Sequence, residues 1–348
     1  MPSSKSLRSK TYDLADAFAA NEFYQAKGWT DGLPVVPATE ERVSECLDAA
    51  GLPPAHVIGI EPVRQRPITA EKAAVNAVLA GCLPAYMPLA VAILGAMCDA
   101  QYNLHATTAS TGGAAPFAVV NGPVRTLIGM NATHNVLANG NRPNATIGRA
   151  IRLVLINVLG VVPGEIDRST LGHPGKFTFC IAEDEEDSSW IPLAQQRGIP
   201  KGQSAVTVMA AGAPRQVMNE WTQDPEEILE TFAAEMRHNM LTYSVWPGNY
   251  FLVIPKQLRE LLIAAGWQKP DIQEYIFNSA RVLRSDWAKV GKRNIVDRGD
   301  GPTQEFTALN EPGDLLIVAA GGPAGGFGAV IPPWLGSKAR AVTKAIET

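Results

Sequence analysis

Apolar residues recur at helical spacing over Tyr12–Lys27, Glu40–Ala50, Ala70–Leu79, Met87–Cys98, Asn144–Leu159, Pro225–His238, Lys256–Ala265 and Asp271–Leu283. Between them lie short runs rich in β-branched and aromatic residues. These predict strands at Val57–Ile60, Leu104–Thr108, Phe117–Asn121, Lys176–Ile181, Ala205–Met209, Tyr250–Ile254, Leu315–Ala319 and Ala329–Ile331. The pattern specifies an α/β or α+β chain: mixed sheets with glycine-rich strand turns, flanked by helices. Gly198, Pro200 and Gly202 interrupt the periodicity, which predicts an N-terminal α/β lobe over 1–198 and a C-terminal one over 199–348.

No charged residue occurs between Ala73 and Cys98, yet Asn76, Pro84 and Pro88 break the stretch. The unbroken run Leu89–Cys98 falls far short of the roughly 20 apolar residues a bilayer requires, so two buried helices are expected. An internal echo also runs through the chain. Ala109–Pro123 resembles Ala319–Pro333, and Val206–Met218 carries a shorter version around Ala210-Ala-Gly-Ala213. Each is a strand, a small-residue turn and a second strand. Tight turns in a crowded sheet explain the glycines; an internal duplication that aims several backbone N–H groups at one pocket is the alternative.

Composition narrows the class. Hydrophobic residues make up 46% of the 348 and charged residues 18%, enough apolar surface for a large core and too little charge for a disordered chain. With 30 basic against 34 acidic residues the net charge is −4 and no basic stripe appears, so neither nucleic acid nor a membrane surface is an expected partner. The polar, basic stretch Met1–Lys10 is followed by no apolar export segment, which predicts a cytoplasmic protein. Cys46, Cys82, Cys98 and Cys180 lack C-x-x-C spacing, so reduced thiols are expected rather than a zinc knuckle or a thioredoxin-type pair.

Candidate chemistry concentrates between Asn103 and Glu186. Asn103-Leu104-His105 comes first, then the turn holding Ser110, Gly112 and Gly113, then a loop with His134, Asn141, Arg142 and Asn144. The helix that follows, Thr146–Leu159, is apolar on nearly all sides, which predicts a buried helix whose N-terminus faces the interior and favours an anion. Arg142 would then bind a carboxylate, with Asn141, Asn144, Thr146, Ser110, Gly112, Gly113, Gly321 and Gly322 lining the substrate pocket. Turn capping by the asparagines and a solvated Arg142 are the competing reading.

The second concentration is Gly172–Glu183. Strand alternation from Lys176 places Lys176, Thr178 and Cys180 on one face, beside His173. A lysine near a thiol supplies an activated nucleophile; a buried structural cysteine is the alternative. Glu183 stands at the strand end, where a catalytic acid or base is often found. The catalytic candidates are therefore His173, Lys176, Cys180 and Glu183, with His105 and His134 from converging segments. No H-x-x-x-H, G-x-G-x-x-G or P-loop pattern occurs, so no metal and no cofactor is expected.

Gly28-Trp-Thr-Asp-Gly-Leu-Pro-Val-Val-Pro37, Thr39-Glu-Glu-Arg42, Ala80-Gly-Cys-Leu-Pro84, Gly140-Asn-Arg-Pro-Asn-Ala-Thr-Ile-Gly-Arg149 and His173-Pro-Gly-Lys176 resemble a bacterial family over nearly the whole chain. Many members of that family accompany, or are fused to, a small (seleno)protein carrying a U/C-G-S-C motif. The resemblance implies an enzyme without naming its reaction, and a small UGSC-type thiol protein as partner. This chain has no C-G-S-C of its own. The expected activity is that of a cofactor-independent hydrolase or lyase acting on a small polar or carboxylate-bearing metabolite, in a homo-oligomer. A thiol-redox partner or reductase subunit and a non-catalytic small-molecule binding protein are the alternatives.

Overall fold

The core strands are apolar on both faces, and the computed structural model, which describes residues 7–293, 301 and 303–347, shows what covers each face. The first six residues of the basic N-terminal stretch lie outside this range. In chain order the helices are α1 (Ala17–Ala26), α2 (Glu40–Ala49), α3 (Ala70–Ala80), α4 (Met87–Met97), α5 (Leu104–Thr108), α6 (Val124–Leu127), α7 (Arg142–Asn157), α8 (Leu193–Gln196), α9 (Pro225–Thr242), α10 (Lys256–Ala264), α11 (Lys269–Ser279) and α12 (Arg284–Lys289). The strands are β1 (Val57–Glu61), β2 (Arg66–Thr69), β3 (Ala115–Asn121), β4 (Cys180–Ala182), β5 (Ala205–Ala211), β6 (Arg215–Met218), β7 (Tyr250–Ile254), β8 (Arg281–Leu283), β9 (Glu305–Thr307), β10 (Leu315–Ala319), β11 (Phe327–Ile331) and β12 (Val342–Ala345).

Two four-stranded mixed sheets, β12-β5-β3-β4 and β10-β7-β11-β6, stack face to face. Alternation assigns the residues. Phe117 and Val119 of β3, Met209 of β5, Phe251 and Val253 of β7, and Leu316 and Val318 of β10 fill the space between the sheets. The Phe117 and Phe251 rings meet edge-on across it at 5.0 Å. The intervening residues face outward: Ala118, Val120, Val206 and Val208 pack under α3, α4 and α7, whereas Tyr250, Leu252, Leu315 and Ile317 pack under α9, α10 and α11. The result is a helix–sheet–sheet–helix stack. Among the described residues no helix is long and apolar enough to cross a membrane.

From edge to edge, β12-β5-β3-β4 pairs antiparallel, antiparallel, parallel, and β6-β11-β7-β10 repeats that order. Each sheet also receives its antiparallel edge strand from the other half. Strand β5 runs through Gly212 into β6, which pairs with β11; β11 runs through Pro332 and Pro333 into β12, which pairs with β5. The two crossings touch, with Gly212 N–H donating to Pro332 O at 2.9 Å and Trp334 N–H to Ala210 O at 3.0 Å. The topology is thus repeated, but in a different register from the echo: β3 corresponds to β7, so Ala109–Pro123 and Ala319–Pro333 are not equivalent positions. A division at 198/199 likewise does not follow the sheets, since β5 and β12 complete the sheet of β3 and β4.

Two expected strands differ in the structure. Leu104–Thr108 is helical because Asn103, at φ 57°, turns the chain, and the Thr107 and Thr108 hydroxyls donate back to Leu104 O, a bond that suits a helical turn. In Lys176–Ile181 only Cys180 and Ile181 are extended. Pro174 opens a 3₁₀ turn through Lys176, capped by the His173 ring, so the pleat starts at Cys180. Lys176 therefore does not share a strand face with Cys180.

Candidate functional site

Where the two crossings meet, a cleft of about 330 Å³ opens against the Gly112–Gly113 turn, Gly172, His173, Gly212, Arg215 and Tyr243. Its floor requires glycine. Gly113 has φ +68°, and a Cβ there would lie 3.0 Å from Gly172 Cα and 3.1 Å from Gly172 N. The N–H groups of Gly113 and Gly172 donate to nothing in the described chain. Ser110 is committed to structure, its Oγ accepting from Gly112 N–H at 2.9 Å and Trp334 Nε1–H at 2.8 Å. Tyr243 donates to Gly112 O at 3.1 Å, and burial pushes its hydroxyl pKa up.

His173 lines this cleft. Its Nδ1 accepts from Gly175 N–H at 3.2 Å, which leaves the proton on Nε2, facing Ala211 O at 3.3 Å. Burial, reinforced by the Lys176 and Arg152 charges, holds its pKa below the usual histidine value against the pull of Ala211 O, so the ring is neutral at pH 7. Arg215, half-exposed, has its nearest carboxylate among the described residues, Glu235, 4.0 Å away, which leaves its guanidinium available to a ligand.

Behind Gly172 lies a second group. Lys176 Nζ donates to Asp167 Oδ2 at 2.6 Å and to Ser169 Oγ at 2.6 Å, and Ser169 Oγ donates to Asp167 Oδ1 at 2.5 Å. Burial raises Asp167, but the bonds from Lys176 and Ser169 outweigh it and hold this carboxyl below the usual range. The ion pair favours charge on Lys176 too, yet burial wins there and its pKa is lowered. Arg152 of α7 completes the group. Its Nε–H donates to Lys176 O at 2.8 Å.

The expected three-segment convergence is partial. The segment after Asn103 does reach Lys176, but through Thr107 and Thr108, while Asn103 Nδ2 donates to Lys338 O and His105 Nδ1 lies 3.3 Å from Glu61 Oε1. His134 lies against Gly322 and lines a different hollow, of about 440 Å³, with Gly321, Gly322 and Gly325. The asparagine loop closes on itself. Asn141 caps α7 and donates to Gly129 O, and Asn144 bonds both backbone groups of Asn131. Arg142 is exposed, with Nε and Nη2 both on Gly81 O, and Thr146 Oγ1 donates to Arg142 O. The α7 N-terminus therefore faces its own capping loop rather than the cleft. Helix α7 itself is buried as its apolar pattern predicts, and Arg149 grips Asp31 of the Gly28–Pro37 stretch with two bonds of 2.8 Å.

Glu183 is fully engaged. One carboxylate oxygen accepts from Lys269 Nζ at 2.7 Å and Ala319 N–H at 3.3 Å, the other from Asn121 Nδ2 at 2.6 Å and Leu193 N–H at 2.7 Å. With four donors around it and 1% exposure, it ties the end of β4 to the second sheet and has no role as a free base. Cys180 is buried under α7, and burial pushes its thiol up to about 12, so no lysine activates it. Cys82 is pushed up to about 12 in the same way, and Cys46 and Cys98 to about 11.

The structure adds Arg152, Asp167, Ser169, Arg215 and Tyr243 to the candidates. Only Arg152 carried a sequence signal, a charge inside an otherwise apolar helix face. Among the described residues no group of three or more His, Cys, Asp and Glu is arranged to hold a metal. No family model, curated protein or solved structure matches the chain.

Proposed function

We propose that this chain is a cofactor-independent hydrolase or lyase that acts on a small carboxylate-bearing metabolite in the cleft at the strand crossings. The observation that carries this reading is His173, a half-buried, neutral imidazole lining a concave site with an under-used arginine and free glycine N–H groups. Arg215 holds the substrate carboxylate. His173 trades its long bond to Ala211 O for one from Nε2–H to a substrate oxygen, and together with the Gly113 and Gly172 N–H groups stabilises the negative charge that develops there. Lys176, anchored by Asp167 and Ser169, adds positive charge beneath the floor. The raised thiol pKa values weigh against the thiol-redox reading, and a UGSC-type partner rests on the sequence resemblance alone.

The test is a product screen by proton NMR over small carboxylate-bearing esters, amides and β-hydroxy acids. For the substrate found, His173→Asn is expected to lower kcat/KM by roughly 10²- to 10⁴-fold with folding intact. Arg215→Met is expected to raise KM about tenfold or more. No turnover across the panel, or full turnover by folded His173→Asn, removes the proposal.

A further inference from the structure

Arg152 is 7% exposed, yet among the described residues only its Nε has a hydrogen-bond partner, and no carboxylate is in ion-pair contact with it. Arg152 lines a narrow crevice with Tyr102, Thr107, Thr108, Asp167 and Lys176. The Tyr102 hydroxyl likewise has no partner among the described residues. The threonine hydroxyls point their protons into α5, at Leu104 O, so the donors left over in the crevice are the Arg152 nitrogens, Tyr102 O–H and the third N–H of Lys176. Charge leads to the same conclusion. Arg152 and Lys176 bring two cations to a crevice whose one lining carboxylate is Asp167, and Asp31, which also acts on Arg152, is already held by Arg149, an arrangement that favours entry of a counter-ion. The interior volume is about 10 Å³, room for a single halide or for one oxygen of a carboxylate whose remainder stays at the mouth.

We propose that Arg152 and Tyr102 form a binding site for one small monovalent anion, either a free halide or the carboxylate end of a small molecule. The crevice adjoins the cleft through Lys176, whose Cδ would lie 3.3 Å from a Cβ on Gly172, but the site does not depend on the reaction proposed there. Lys176 stays with Asp167, and the anion sits against the guanidinium edge that faces the crevice.

The experiment is chloride-35 NMR line broadening with the full-length protein at constant ionic strength, which reads binding without turnover. The wild type is expected to show saturable excess broadening. Arg152→Gln removes the charged donors and is expected to weaken it roughly tenfold or more, and Tyr102→Phe, a milder change, about threefold or more. Competition by formate and acetate distinguishes the sources: displacement assigns the site to carboxylate ends, and chloride that resists both assigns it to a halide. Absence of excess broadening in the wild type, or broadening undiminished in folded Tyr102→Phe, overturns the proposal. If Arg152→Gln does not fold, Tyr102→Phe alone decides it. Failure of the substrate screen would leave this result untouched.

Discussion

Two of the buried ionic groups in this molecule, those around Glu183 and around Lys176, are built differently. Around Glu183, each carboxylate oxygen has two donors, Lys269 is 1% exposed, and neighbouring Arg259 is paired with Asp184 at 2.7 Å. Around Lys176, the Asp167 carboxylate is satisfied, but the second cation, Arg152, keeps nitrogens without a partner among the described residues and lines a crevice. Arg259 also keeps two unpartnered nitrogens, but they are sealed from solvent and its charge is already matched. Leftover hydrogen-bonding capacity marks a binding site only where a ligand can reach it. A closed network holds sheets together; an open one waits for a partner.

The sharpest test of that contrast is on the closed side. Lys269→Met leaves Glu183 buried without its counter-charge, and urea unfolding is expected to show a loss of about 3–5 kcal/mol. A loss below about 1 kcal/mol would mean that water reaches Glu183 and that the two groups are not different in kind.

Next in size is the floor of the cleft. Gly113→Ala places a side chain at φ +68° and 3.0 Å from Gly172 Cα, with expected destabilisation of roughly 1–3 kcal/mol, because neither backbone can yield without moving the other turn. Gly129→Ala, also at positive φ (+70°) but with nothing within 4 Å, isolates the backbone strain and is expected to cost less. Equal losses would show that close approach contributes nothing at Gly113.

A smaller effect is expected from pH. The folded pKa of His173 lies below its unfolded value of about 6.5, so the unfolded chain binds more protons in the window beneath pH 6.5. Stability from this group is therefore complete above that window and is lost as pH falls through it. Urea midpoints at pH 7.5 and 5.5 are expected to differ more for the wild type than for His173→Asn. Asp167 acts lower on the scale. Its depressed pKa contributes stability above about pH 4 that is lost on further acidification.

The sequence carried the layers of this fold more fully than its site. Strands such as Phe117–Asn121 and Tyr250–Ile254 are apolar at every position, or nearly so, because both faces are covered, and that is visible without coordinates. Short edge strands such as β6, Arg215–Met218, carry no such signature, since their register comes from β11 rather than from their own residues. At the site, Lys176 and His173 were legible as chemistry-bearing residues in a turn. Their partners were not, because Asp167 and Ser169 meet Lys176 through a loop, and Arg215 and Tyr243 reach the cleft only through the strand crossing. Glu183 and Cys180 were misleading for one shared reason: a place along a strand or at its end does not say whether the side chain meets solvent or another layer.

The thiols give the last and smallest effect, and it separates a metabolite enzyme from a redox partner. Burial is the leading cause of the raised pKa at all four cysteines, and no cation close to Cys180 opposes it, whereas Lys344 near Cys98 offsets its shift only in part. With thiols at about 11 or 12, the thiolate at pH 8.5 is under roughly 1% of each, and only Cys98 is partly exposed. Native protein treated with iodoacetamide at that pH is therefore expected to stay almost unmodified over an hour, with Cys98 the first site seen by mass spectrometry, while urea-unfolded protein reacts at all four. Rapid native labelling of Cys180 would mean that α7 lifts from β4 to expose it. In that event the thiol-redox reading, supported now only by the sequence resemblance, would displace the cleft as the place to look for activity.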